Sequence, residues 1–208
     1  IGSFWGYEWT GLDEKGNDVY LDVDESGVID GSDRKIIGKA TPDFTLGWNN
    51  SLRYKNWELN MFFNGSFGAK RMNLVRFTMA SMVGDSRFVT LREAYEQGFD
   101  KVGNGAKYPS LTGSGNNYQP VSTKWLESAD FFRLENISLS YNLSKKITKF
   151  ADIRLTLSCQ NLFTVSGYKG MDPAGTTFSN NNVDVDAGID MGAYPTPRTF
   201  TFGVRMNF

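Results

Sequence analysis

The segment Phe200–Phe208 alternates without exception between apolar and polar residues. Phe200, Phe202, Val204, Met206 and Phe208 fall on one side, and Thr201, Gly203, Arg205 and Asn207 on the other. A strand has a side-chain period of two, so this segment reads as a strand with one apolar and one polar face. Two environments satisfy such a face. A soluble sheet covers it with a core. A transmembrane β-barrel gives it to lipid, turns the polar face to the lumen and seats a terminal aromatic in an interfacial girdle.

Other segments repeat the pattern. Over 44–55, Leu46, Trp48, Leu52 and Tyr54 share a face, with Asn50 the exception. After a tight turn at Lys55-Asn56, Trp57, Leu59, Met61, Phe63 and Phe67 share a face over 57–68, against Glu58, Asn60, Asn64 and Ser66. The two form a hairpin. Tyr54 and Trp57 flank its turn, where a membrane–water interface favours aromatics. A third strand over 131–143 carries Ile137, Leu139, Tyr141 and Leu143. A fourth over 152–163 carries Ile153, Leu155, Leu157 and Cys159, with the turn 144–151 between them. Cys159 reads as a small lipid-facing or packed residue on that face.

Between the hairpins the periodicity fails. In 69–130, Met72, Leu74, Val75, Met79 and Met82 suggest a short helix, Arg87–Gln97 suggests another, and Gly103–Asn117 is Gly- and Asn-rich. Residues 164–196 form a second long polar stretch. Short turns at 55–56 and 144–151 therefore alternate with long loops at 69–130 and 164–196. Short periplasmic turns and long outer loops are the asymmetry of an outer-membrane barrel. Five strands leave open edges, which lipid does not tolerate, so such a barrel needs more chain or further copies. The sequence opens on Ile1-Gly2-Ser3 without an initiator Met, which reads as a processed or excised piece.

Composition removes whole function classes. There is no His, which excludes imidazole metal sites, Ser-His-Asp triads and Cys-His dyads. A single Cys excludes an internal disulfide. A net charge of −1 and an isoelectric point near 5.6 give no basic field for nucleic acid. No apolar run reaches the roughly 18 residues of a membrane helix. The mean hydropathy of −0.38 suggests solubility, but barrel strands are only half apolar and hide in such an average.

One loop has the spacing of a calcium site. Asp22, Asp24 and Ser26 stand at positions 1, 3 and 5, Gly27 at the sharp turn, Val28 at the carbonyl position, and Asp30 and Asp33 at positions 9 and 12. Calcium takes six to eight oxygens, and the loop offers them in that order. Ser26 is a weaker ligand than Asp, and Asp33 is shorter than the usual Glu. The expected role is structural; the other reading is a polar turn with solvated carboxylates. Asp172, Asp184, Asp186 and Asp190 make the last loop acidic, which reads as a solvated loop or as ligand contact near a pore mouth. Trp5, Tyr7, Trp9, Tyr118, Trp125, Tyr168 and Tyr194 offer rings for sugar stacking or for loop packing. Lys145, Lys146 and Lys149 read as a solvated turn near phospholipid head groups. Glu93 and Glu96 lie in an expected loop helix with no oriented partner for hydrolysis, and Gly103–Gly115 lacks the lysine and strand of a phosphate loop.

The stretches "DVDESGVIDGSDRKIIGKATPDFTLGWNNSLRYKNWELNMFFNGSFG", "SADFFRLENISLSYNLSKK", "LSCQNLFTVSGYKGMDP" and "GIDMGAYPTPRTFTFGVRMNF" resemble, in order, the C-terminal portion of SusC/RagA-type TonB-dependent outer-membrane transporters. The resemblance covers most of the chain and departs over 69–125. It implies an all-β fold: the last five or so antiparallel strands of a barrel of about twenty-two, the plugged-lumen type, with short helices in long extracellular loops. The divisions are an outer loop at 1–43, hairpins at 44–68 and 131–163, outer loops at 69–130 and 164–196, and a terminal strand at 197–208. The resemblance further implies a Gram-negative outer membrane, a periplasmic C-terminus, an N-terminal plug, a TonB-contacting segment upstream and a SusD-like lipoprotein lid. It assigns Phe200, Phe202, Val204, Met206 and Phe208 to barrel closure and the insertion signal. The implied activity is TonB-driven import of a glycan or peptide. The alternatives are a soluble, calcium-stabilised carbohydrate-binding β-module and a surface hydrolase, for which no catalytic constellation is present.

Overall fold

Alternation becomes architecture through register. In the computed structural model, which describes residues 2–81, 90–110, 119, 121–175 and 188–208, the elements in chain order begin with β1 (Ser3–Gly6), β2 (Trp9–Leu12), β3 (Asp18–Tyr20) and β4 (Lys35–Lys39). The hairpin β5 (Phe44–Tyr54) and β6 (Trp57–Phe67) follows, then β7 (Lys70–Asn73), α1 (Leu74–Ser81), α2 (Arg92–Glu96) and α3 (Phe99–Val102). The chain continues through β8 (Leu126–Ser128), β9 (Phe131–Leu143), α4 (Lys145–Thr148), β10 (Asp152–Ser166), β11 (Ile189–Asp190) and β12 (Thr199–Asn207). They fall into two compact units: a sheet unit of Pro42–Gly68, Ala129–Gly167 and Pro195–Phe208, and a loop unit of Ile1–Thr41, Ala69–Ser128 and Tyr168–Tyr194.

The sheet unit is one antiparallel sheet in the order β12-β10-β9-β6-β5. Its registers align the apolar residues of every strand. Leu52, Leu59, Leu139, Leu157 and Phe202 form one cross-strand row. Tyr54, Trp57, Tyr141, Leu155 and Val204 form a second. Between them runs the polar row Arg53, Glu58, Ser140, Thr156 and Gly203. A one-residue slip in any pair would mix the faces, so the pattern itself fixes the register. The β5–β6 turn takes two residues, and Lys55 adopts the left-handed φ of 52° that tight hairpin turns demand.

Apart from Asn50, the alternation breaks once, at a bulge. Phe62 pairs with Asn136, but the next pair is Phe63 with Leu134, so Glu135 is extra on β9. On β10 the register steps from Gln160 to Phe163, placing Asn161 and Leu162 opposite the single residue Glu135, with Asn161 at φ 53°. The extra residue Glu135 shifts β9 by one and brings Leu134 into the apolar row of Phe63 and Phe163. Beyond the bulge β10 continues to Ser166. The turn after β9 is built as the one-turn helix α4 rather than as an irregular bend.

In the loop unit, segments from three parts of the chain build one core. Phe4, Met72, Ala80, Ala94, Tyr108 and Trp125 are buried together, with Ile37, Phe77, Leu126 and Ile189 packed against them. Short strands tie the segments: β1 with β4, β2 with β3, and β7 between β8 and β11. The helix expected from Met72 onward is corrected here. Met72, expected in a helix, lies in β7 at 1% exposure, and the helix begins at Leu74. Strands of two to five residues are too short for periodicity to reveal.

Candidate functional site

The apolar face of the sheet unit is open. Trp48, Leu52, Leu157, Phe200 and Phe202 are each at least half exposed, although they sit mid-strand in matched rows. Apolar surface on this scale marks a lipid or protein contact. Aromatic pairs cluster at its two ends. Phe44 stacks on Phe67 with centroids 4.9 Å apart, and Trp57 packs on Tyr141 at 4.6 Å beside the short turn. Cys159 is buried in the row of Met61, Ile137 and Phe200.

The opposite face is a hydrogen-bonded polar ladder. Ser51 Oγ donates to Asn60 Oδ1 at 2.7 Å, and Asn60 Nδ2 donates to Glu58 Oε1 at 3.3 Å. Glu58 also receives Arg53 and Arg154, at 3.4 and 3.1 Å. Arg154 reaches Ser140 Oγ at 3.2 Å, and Ser140 and Thr156 share a bond of 3.0 Å. At the bulge, Asn64 Nδ2 donates to Glu135 Oε2 at 2.5 Å, and a cavity of about 270 Å³ opens between Asn64, Arg133, Glu135, Gln160 and Asn161. A wet lumen suits such a face, and hydrocarbon does not.

The calcium-like loop lies between β3 and β4. Carboxylate oxygens of Asp22, Asp24 and Asp33 lie within 4.8 Å of one another. Asp33 is fully buried and accepts from the N–H groups of Val23 and Asp30, at 2.7 and 2.8 Å. Those two backbone donors, Asp30 first, hold its carboxyl below the usual carboxylate range. Asp22 accepts from Gly27 N at 2.7 Å, and Ser26 N approaches both Asp22 and Asp24. Glu25 and Gly27 supply the left-handed φ values, 58° and 81°, that make the turn. The carboxylates of Asp22, Asp24 and Asp33 fit a hard cation with oxygen ligands at 2.3–2.6 Å. Two residues of the pattern are occupied otherwise. Asp30 accepts from Ser32 N at 2.7 Å and caps the 3₁₀ turn Gly31–Asp33, and the Val28 carbonyl accepts from Ser26 Oγ at 3.1 Å.

The other candidates mostly belong to the loop unit's interior. Asp172 and Asp190 are buried rather than solvated: Asp172 accepts from Ala174 N, and Asp190 from Tyr168 Oη, Gly192 N and Ala193 N. Asp184, Asp186 and Tyr118 lie outside the described residues. Tyr7, Trp125 and Tyr168 are core residues, whereas Trp5 and Tyr194 are open. Glu93 pairs with Arg76 at 2.8 Å and Glu96 with Arg92 at 2.8 Å, so each carboxylate answers a cation.

Sequence reading missed two polar clusters within the loop unit. Arg76 bridges Glu127 and Glu93 at 2.7 and 2.8 Å and donates to the Tyr108 hydroxyl. Burial works against its charge, but Glu127, Tyr108 and Glu93 outweigh that and raise its pKa. Lys124 Nζ meets Asp18 Oδ1 at 2.5 Å, and Trp9 Nε1 donates to the same oxygen at 2.7 Å. Asp18 and Lys124 are 106 residues apart, so no local signal announces the pair.

No protein-family model matches the chain. It is 33% identical to TonB-dependent receptor P3 of Formosa agariphila, an alignment covering all of this chain and 22% of that protein. It is 29% identical to TonB-dependent receptor SusC of Bacteroides thetaiotaomicron, covering 99% of this chain and 19% of that one. The chain thus spans about a fifth of the length of these relatives. Among solved structures, the RagAB peptide transporter superposes with a TM-score of 0.80 at 22% identity, over 99% of this chain and 22% of that one. The RagAB peptide importer in the closed-closed state gives 0.79 at 23% identity, with 99% and 23% covered. The two-faced sheet, the sequence relatives and the shared fold together place this chain with the C-terminal part of the SusC/RagA-type TonB-dependent receptors.

Proposed function

We propose that this chain is the C-terminal wall and outer-loop unit of an outer-membrane active transporter that imports a bulky nutrient. The observation that carries the reading is the alignment of apolar rows across all five strands of the sheet unit, left open on one face and backed by a polar ladder on the other. In this reading the short turns and Phe208 lie on the periplasmic side, and the long loops are extracellular. β12, through Phe200, Phe202, Val204, Met206 and Phe208, closes the barrel against its first strand and serves as the insertion signal. An upstream plug gates the lumen, TonB supplies energy from within, and a SusD-like lipoprotein closes over the loops. The cargo is a glycan or a peptide; the RagAB structures, which share the fold, are those of a peptide importer. The chain's own part is scaffold and loop surface, without catalysis.

Asp22, Asp24 and Asp33, with Ser26, Val28 and Asp30 around them, would hold a structural Ca²⁺ that pins the first loop. A soluble carbohydrate-binding module accounts for that loop equally well, but it leaves the apolar sheet face uncovered. The test is fractionation of the native polypeptide carrying this sequence, with uptake measured in a deletion strain. Outer-membrane location and loss of growth on one class of oligosaccharide or peptide are expected. A stable species in the aqueous fraction overturns the reading.

A further inference from the structure

The short-turn end of the sheet unit carries chemistry that barrel closure does not use. The β5–β6 turn and the end of β9 are joined by the bond from Asn142 N to Asn56 O, 2.9 Å. Lys55 on one turn and Lys145, Lys146 and Lys149 on the other are all exposed. Among the described residues from Ser144 to Asp152 and in the turn Lys55-Asn56, the one carboxylate is Asp152. It is engaged locally: its Oδ1 accepts from Lys145 N at 2.5 Å. Four cations thus crown adjacent strand ends with little to neutralise them.

The same turn exposes apolar side chains for no internal reason. Ile147 is 60% exposed and Phe150 55%, immediately beyond the apolar row Leu143, Ile153 and Met206. One row further into the sheet are the rings of Tyr54, Trp57 and Tyr141, on its apolar face. The turn is held in shape, with α4 ending at Lys149 in a left-handed conformation of φ 69°. Lys149 N–H bonds Lys145 O at 2.8 Å, and Thr148 Oγ1 bonds Ala151 O. A solvated turn needs neither the exposed Ile and Phe nor this order.

Resting on the barrel reading, we infer that Lys55, Lys145, Lys146 and Lys149, with Ile147 and Phe150, form a binding site for the head group of an anionic phospholipid. Ile147 and Phe150 enter the acyl boundary, and the lysine stems lie along it with their ammonium groups on the phosphate. An ammonium is a compact charge suited to a phosphodiester, and a desolvated interface strengthens the contact. The consequence is a fixed depth for this side of the wall: the aromatic row is held at the head-group level by charges above it.

The experiment uses the full-length transporter in detergent, with native mass spectrometry counting bound lipid. Dioleoylphosphatidylglycerol is compared with dioleoylphosphatidylcholine. The wild type should bind the anionic lipid more tightly. Replacing Lys55, Lys145, Lys146 and Lys149 by Gln should weaken that lipid about five-fold per lysine, a factor corresponding to ~1 kcal/mol per residue near an anionic surface. Phosphatidylcholine binding should be unchanged. Arginine at the same positions should retain the preference, and Ile147→Ser with Phe150→Ser should weaken both lipids. Equal lipid preference in the wild type and the Gln variant overturns the inference while leaving the barrel in place. Recovery of the full-length protein without detergent, in the aqueous fraction, overturns the barrel reading itself.

Discussion

Ile137 lies between Met61 on β6 and Cys159 on β10, in an apolar row, while its neighbour Ser138 lies between Asn60 and Ser158 in a polar one. One step along the chain therefore crosses from the apolar face to the polar one, which the barrel reading gives to lipid and lumen. Ile137→Arg should cost about 2–4 kcal/mol of barrel stability if the row lies near the bilayer centre, and Ser138→Arg far less. Heat-modifiable migration and outer-membrane yield of the full-length protein measure this. Equal effects at the two positions would contradict the assignment of faces.

The triad Asp22, Asp24 and Asp33 predicts a metal-dependent loop unit. Three carboxylates this close repel one another unless a cation or donors intervene. Calcium should raise the thermal midpoint of the full-length protein, and a chelator should lower it. At a hundred times its dissociation constant, a ligand of the folded state adds about 2.7 kcal/mol. Asp24→Asn should remove most of the response, because Asp24 has few other duties. A midpoint indifferent to calcium would return the loop to a solvated turn.

Lys124 and Asp18 form a buried ion pair in which Asp18 Oδ2 has no partner. Lys124→Met should strand the carboxylate and destabilise the loop unit by about 3–5 kcal/mol. Adding Asp18→Asn should recover a substantial part, because the stranded charge is then gone. A double-mutant cycle on limited proteolysis rates reads the coupling. Simple additivity of the two changes would show that the pair is not coupled.

Tyr108 gives a pH prediction. Its hydroxyl sits in the core beside Arg76; burial pushes its pKa up to about 12, Arg76 works against this, and Glu93 adds to it. The folded state then keeps a proton that the unfolded chain releases near pH 10. Stability from this group is complete below pH 10 and falls as the pH rises toward about 12. Tyr108→Phe should flatten the alkaline limb of a stability–pH profile while lowering stability at neutral pH, since Arg76 loses a partner. An unchanged alkaline limb would assign the loss to other groups.

Alternation alone made the long strands and their faces legible. Side chains of a strand alternate strictly, so Leu52, Leu59, Leu139, Leu157 and Phe202 declared their common face before any pairing was known. The meeting of Asp22, Asp24 and Asp33 was legible because all three lie within one short segment. Tertiary structure decided the rest. The spacing of Leu134 and Ile137 makes sense only once Glu135 is seen as an extra residue on β9, opposite Asn161 and Leu162 of β10. The segments read as loops share a core because Phe4, Met72, Tyr108 and Trp125 meet from distant parts of the chain. Tyr168 finds Asp190, and Lys124 finds Asp18, only through that packing. Periodicity records a face that many residues share along one element. Pairing between short distant segments leaves no local trace, because its energy comes from burial and hydrogen bonds made only when the whole unit closes.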